Sequence, residues 1–135
     1  MFERCLYFNL NELTRKINRI WDAAFAEFGL SPSHAYLLRL VLANPGLSQK
    51  DIAGELKLEK STITRFINAL VKQNLLVRNK SGRDTSILPT DEAKFLEIML
   101  NNKGDELYKR MGEELGQDNL KRLVRALRHT SQKLS

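Results

Sequence analysis

Residues 47–91, LSQKDIAGELKLEKSTITRFINALVKQNLLVRNKSGRDTSILPTD, decide the fold. Ser48 stands three residues before Asp51 and just ahead of an apolar pattern, where its hydroxyl can cap the free backbone N–H groups of a new helix. Ile52, Ala53 and Leu56 then fall on one helical face. Leu58 follows, and a second helix opens around Glu59-Lys60-Ser61-Thr62, with Glu59 and Ser61 suited to a first turn of unpaired amides. Ile63, Phe66, Ile67, Leu70 and Val71 recur at steps of three and four and predict the buried stripe of that helix. The opposite face carries Lys60, Ser61, Thr62, Thr64, Arg65 and Asn68. These side chains can hydrogen-bond base edges and phosphates, which a merely solvated face does not require.

Beyond Asn74 the period changes. Leu75, Leu76 and Val77 form a short apolar run, Lys80-Ser81-Gly82-Arg83 predicts a turn, and Thr85-Ser86-Ile87-Leu88 returns. Gly82 can take the positive φ that the reversal needs. Arg78, Lys80 and Arg83 put three cations on a hairpin with little core of its own. A short helix, a turn, a basic hydroxyl-rich helix and a small basic hairpin are the parts of a winged helix-turn-helix, in order. The segment therefore predicts major-groove contacts from Ser61, Thr62, Thr64 and Arg65, and phosphate contacts from Lys60 and Asn68. Arg78, Lys80 and Arg83 are the candidate wing contacts, and Ser48 is a helix cap close to the DNA backbone.

The stretches LSQKDIAGELKLEKSTITRFINALVKQNLLVR and LPTDEAKFL resemble the winged helix-turn-helix of the MarR/SlyA family of regulators, and FGLSPSHAYLLRLVLANPGLSQKDIA resembles the approach to it. The resemblance spans most of the chain. Two departures stand out: Asn74 occupies a position where a helix-ending Gly is usual, and the wing is short, with Thr85-Ser86 where the family often supplies Arg. Asn tolerates the left-handed cap conformation. With fewer arginines, wing contact rests on Arg83 with Lys80 in support. The resemblance implies a mainly α fold with a small β-hairpin wing, flanked by N- and C-terminal dimerisation helices. It implies a homodimeric transcriptional regulator, a repressor, binding double-stranded DNA at a near-palindromic operator. The alternative is a dimeric protein-interaction module that keeps the winged fold without DNA binding, which the reduced wing favours.

Charge distribution agrees with this placement. The chain has 135 residues and a net charge of +6. Residues 1–47 carry 5 cations against 4 carboxylates, residues 48–89 carry 8 against 4, and residues 90–135 carry 9 against 8. The excess thus sits in the segment that would meet a polyanion. At this length the chain can bury roughly two-thirds of its unfolded surface in one compact unit. No apolar run approaches the ~20 residues of a transmembrane helix, and MFERCLYFNLNE has no signal-peptide core. A cytoplasmic protein without membrane contact is expected.

The flanks predict helices with adhesive stripes. Leu6, Leu10, Leu13, Ile17, Ile20 and Ala24 alternate steps of four and three, and Trp21, Phe25 and Phe28 widen the stripe. Gly29 ends this helix, and Ser31-Pro32 starts the next with a cap and an N1 proline. Ala93, Leu96, Leu100, Leu107 and Met111 continue the pattern, Gly112 and Gly116 loosen it, and Leu120, Leu123, Leu127 and Leu134 mark a last helix. The expected division is residues 1–30 for an N-terminal dimerisation helix, 31–91 for the winged helix-turn-helix, and 92–135 for C-terminal dimerisation helices.

Members of the family commonly bind a small lipophilic or phenolic ligand between dimer helices and reading head. The resemblance makes Trp21, Phe25, Phe28, His34, Tyr36 and Arg39 a candidate ligand pocket, although the same residues also read as ordinary core with polar tips. Part of the family senses oxidants through a lone Cys on the first helix. Cys5 is the candidate here, but it falls about two residues early, and a shift of two residues turns a helix by roughly 200°. Catalytic residues, a metal site and a cofactor are not expected. One Cys and two His have no zinc-ligand spacing, and no phosphate loop, nucleophile elbow or paired carboxylates occur.

Overall fold

The computed structural model describes residues 1–134. Helix α1 spans Leu6–Phe25 and passes through a single 3-10 turn, Ala26–Phe28, into α2, Pro32–Ala43. A two-residue strand β1, Leu47–Ser48, leads directly into α3, Gln49–Leu56, and α4 follows at Lys60–Lys72. Strands β2, Leu76–Ser81, and β3, Asp84–Pro89, make a hairpin, and α5, Asp91–Leu115, and α6, Gln117–Lys133, complete the chain. The chain divides into two compact units, one ending at Asn101 and one beginning at Asn102, so the division falls within α5. The fold is the expected one: mainly α, with a small antiparallel sheet as wing.

Local chemistry sets the helix boundaries of the first unit. Gly29 takes φ +67, and Ser31 then caps α2 by accepting from the His34 backbone N–H at 3.2 Å, with Pro32 at the first helical position. Ser48 caps α3 in the same way, accepting from the Asp51 N–H at 3.0 Å. Lys57 closes α3 in the left-handed conformation, φ 55, and its successor Leu58 donates back to the Ala53 carbonyl at 3.1 Å. That three-residue link, Lys57 to Glu59, sets α4 against α3. Asn74 adopts φ 61 after α4, and its Nδ2 donates to Glu92 at 3.0 Å. Thr90 joins the end of α4 to the start of α5: its hydroxyl donates to the Asn74 carbonyl at 2.8 Å and accepts from the Ala93 N–H at 3.1 Å.

The stripes find their core. Ile52 of α3 and Ile63, Ile67 and Leu70 of α4 are fully buried, as are Leu37, Leu38 and Val41 of α2. Each such side chain contributes about 1.5–3 kcal/mol relative to exposure. Phe66 and Val71, expected in the same stripe, are half-buried at its margins. Burial of one face of α4 leaves the opposite face no choice but solvent or a partner.

The sheet differs from the expected two-strand hairpin in two ways. Its order is β1-β3-β2, with Leu47 opposite Ile87 and Ser48 opposite Ser86. Two residues are too few to display alternation, so β1 leaves no trace in the sequence pattern. The strands are also longer than the apolar runs, because Arg78, Asn79 and Lys80 pair with Ile87, Ser86 and Thr85. Only Gly82 and Arg83 remain as the turn, with Gly82 at φ +64 in the first turn position. Polar residues on an outlying hairpin extend the ladder without an apolar signature.

In the second unit, Leu107 and Met111 of α5 and Leu120 of α6 are buried. Gly112 stays inside α5, whereas Gly116 breaks the helix at φ +84. Leu134 lies one residue beyond α6 rather than within it.

Candidate nucleic-acid interface

The outward face of α4 carries most of the nominated side chains. Lys60, Ser61, Arg65 and Asn68 are exposed, and Thr62 and Thr64 are half-buried. Glu59 is the N-cap residue but makes no side-chain cap bond, so no side chain of its own occupies the first amides of α4. The Arg65 guanidinium lies 6.0 Å from the centre of the Phe66 ring. At the tip of the hairpin, Lys80 and Arg83 are exposed. Among the described residues, Lys60, Arg65, Lys80 and Arg83 form no ion pair. These four cations on α4 and the hairpin, held by no ion pair, suit the surface to a polyanion.

Thr64, Asn68 and Arg78 are linked by hydrogen bonds, with Gln49 between Thr64 and Arg78. Thr64 Oγ1 donates to the Lys60 carbonyl at 3.0 Å and accepts from Gln49 Nε2 at 3.0 Å. Arg78 Nε donates to Gln49 Oε1 at 3.4 Å, and Arg78 Nη2 donates to Asn68 Oδ1. The sequence groups Arg78 with the wing cations; the structure turns its half-buried guanidinium back onto α4. Position along the strand explains this: alternation puts Arg78 on the same hairpin side as exposed Lys80, but Arg78 lies next to α4 and Lys80 beyond it. Gln49, the first residue of α3, was not visible as a site residue. Its one signal was its place directly after the Ser48 cap, where a side chain can reach the neighbouring helix.

Five of the six candidate ligand residues form one cluster. Trp21 Nε1 donates to Tyr36 Oη at 3.2 Å, Phe25 meets the Tyr36 ring edge-on at 5.7 Å, and Phe28 lies 6.2 Å from Phe25. Arg39 sits 5.0 Å over the Tyr36 ring and donates to Asn101 Oδ1 at 3.1 Å. His34 lies apart, 4.5 Å from the Phe66 ring and hydrogen-bonded through Nδ1 to Ser31 Oγ. Burial lowers its pKa below the ordinary 6.5. Phe28 also borders a 390 Å³ groove with Gln73, Leu75, Glu92, Leu96 and Met99, which the sequence did not single out.

Cys5 is the half-buried N-cap residue of α1 and makes no side-chain cap bond. Among the described residues, no group of three or more His, Cys, Asp or Glu could hold a metal ion, and no helix is long and apolar enough to cross a membrane.

Residues 28–85 match the family model described as the MarR family. A protein of Thauera aromatica, named for transcriptional regulation of the hcr operon, is 33% identical over 81 residues, which cover 54% of this chain and 49% of that one. The match thus spans about half the length of that relative. The structure is similar to that of the transcriptional repressor CouR, solved bound to a 23-mer DNA duplex and bound to p-coumaroyl-CoA. The TM-scores are 0.86 and 0.87 at 24% and 23% identity, over 96% and 98% of this chain and 94% and 96% of theirs. It is similar also to the PcaV transcriptional regulator of Streptomyces coelicolor in complex with its natural ligand, with TM-score 0.87 and 20% identity over 100% of this chain and 97% of that one. At these identities the structural likeness is one of fold.

Proposed function

We propose that the chain, whose residues 28–85 match the MarR family model, regulates transcription by binding duplex DNA. The observation that carries the reading is the group of unpaired cations, Lys60, Arg65, Lys80 and Arg83, on one helix with a buried opposite face and on the hairpin beside it. Ser61, Thr62 and Arg65 read base edges in the major groove, Lys60 contacts phosphates, and Arg83 with Lys80 serves the adjoining minor groove. Thr64 and Asn68 support this surface from its inner edge. On this reading the protein would act in the cytoplasm, where its DNA lies.

The finer form of the proposal is a homodimer that represses from a near-palindromic operator. Leu6, Leu10 and Leu13 of α1 and Val124 and Leu127 of α6 are exposed, leaving apolar stripes that a second copy can cover. Two recognition helices related by a two-fold axis would enter successive major grooves about 34 Å apart. A lipophilic or phenolic ligand stacking on Trp21 and Tyr36, with its charged end at Arg39, would alter the spacing of the two heads and release the operator.

The test is a gel shift on the DNA upstream of the chain's own gene and on a random duplex of equal length, at two salt concentrations. Retardation at submicromolar protein, lost steeply with salt, is expected. Absence of retardation below micromolar protein would overturn the reading in favour of the protein-interaction module.

A further inference from the structure

A winged reading head has a mechanical problem. Its helix and its wing must meet two grooves of one duplex at a fixed separation, yet the hairpin is thinly anchored: of β2 only Leu76 is buried, and of β3 only Ile87 and Pro89. Residues beyond Arg78 on β2, and before Thr85 on β3, are all exposed. Apolar packing therefore holds the base of the hairpin and not its outer half.

Arg78 stands where that anchoring stops. It pairs with Ile87 in the ladder, so its backbone is fixed by the sheet while its side chain reaches away from it. Nη2 donates to Asn68 on α4, and Nε donates to Gln49 at the start of α3. Gln49 passes the tie on through Nε2 to Thr64 Oγ1, whose own proton goes to the Lys60 carbonyl. Wing, recognition helix and preceding helix are thus joined at one guanidinium by directional bonds. A guanidinium holds its N–H groups in a rigid planar fork, so two bonds in different directions fix the orientation of β2 about α4 as well as its distance.

We infer that Arg78 is a positioning residue that holds the wing in register with α4, and that it is not itself a DNA contact. Its consequence for operator choice rests on the DNA-binding reading; the clamp is a property of the free protein. Arg78 acts through Arg83 and Arg65, whose separation it sets. Gln49 acts through Arg78 and Thr64.

The experiment compares Arg78→Lys and Arg78→Met with the unaltered full chain by two readouts. Lysine keeps the charge but loses the fork; methionine keeps the stem and loses the charge. In the free protein, amide hydrogen exchange of residues 77–81 and 84–88 should rise about tenfold or more in both variants, as expected when a charge-assisted tie is removed. On an operator selected from a random duplex library, both should bind about tenfold more weakly than the unaltered chain. Binding to random duplex and the salt slope should stay unchanged. Unchanged hairpin exchange in both variants would overturn the inference. So would full operator affinity in Arg78→Lys with a salt slope reduced by about 1 in Arg78→Met, the signature of a phosphate contact. If the unaltered chain selects no duplex, the DNA reading fails, and hairpin exchange alone decides the clamp.

Discussion

Lys57 ends α3 with φ 55, a conformation in which its Cβ crowds the following carbonyl. Glycine has no such penalty, so Lys57→Gly should raise unfolding stability by about 0.5–1 kcal/mol in denaturant titration. Asn74, at φ 61, should gain less from the same change, because its Nδ2 bond to Glu92 would be lost. On the reading surface, Arg65→Ala should weaken operator binding by about 1–3 kcal/mol and relax base preference. Lys80→Ala should instead weaken all duplexes alike and lower the salt slope by about 1. Equal losses on operator and random DNA for Arg65→Ala would remove its specific role. His34 carries a pH signature. Burial lowers its folded pKa below the ordinary 6.5. The unfolded chain therefore binds the proton first, and stability should fall as pH drops below about 6.5, levelling off below the folded pKa. A Tm profile between pH 8 and pH 5 measures it (both limits roughly bracket the free imidazole), and His34→Gln should flatten the slope.

At the scale of elements, the joint between α4 and α5 depends on a single hydroxyl. Thr90 both caps α5 and takes up the Asn74 carbonyl left free by the left-handed turn. Thr90→Ala should cost about 1–2 kcal/mol of stability, toward the upper end for a cap, and a loss below a few tenths would show the two bonds to be replaceable by water. Caps of this kind are why α2 and α3 were legible, whereas α4, uncapped by any side chain, was legible from its step-three and step-four stripe. The full strands of the wing were not, since Asn79 and Lys80 join the ladder by backbone bonds that any residue can make. Nor was the inward turn of Arg78. A cation on a hairpin looks the same in sequence whether it faces phosphate or a neighbouring amide, and only the proximity of Gln49 and Asn68 decides between them.

At the scale of the whole molecule, each terminal helix carries exposed apolar side chains. Leu6 is 63% exposed and Leu10 40%, and on α6 Val124 is 46% exposed. Of the expected α1 stripe, Phe25 alone is fully buried. If a second copy covers these side chains, as proposed, replacing Leu10 and Leu13 together by Glu should shift sedimentation from dimer to monomer, and operator affinity should fall about a hundredfold with loss of the linked second half-site. A monomer in the unaltered chain at micromolar concentration would contradict the dimer.

One property of the Arg78 clamp bears on how the protein would be reused. Its acceptors are the side-chain oxygens of Asn68 and Gln49, which neither titrate nor carry charge. Screening by salt weakens attraction between ions at a distance far more than short bonds to neutral amides. Salt or acidity that strips the chain from DNA would then leave the wing still fastened to its helix. Each release would return a reading head already set for the next site, with no reassembly between one binding event and another.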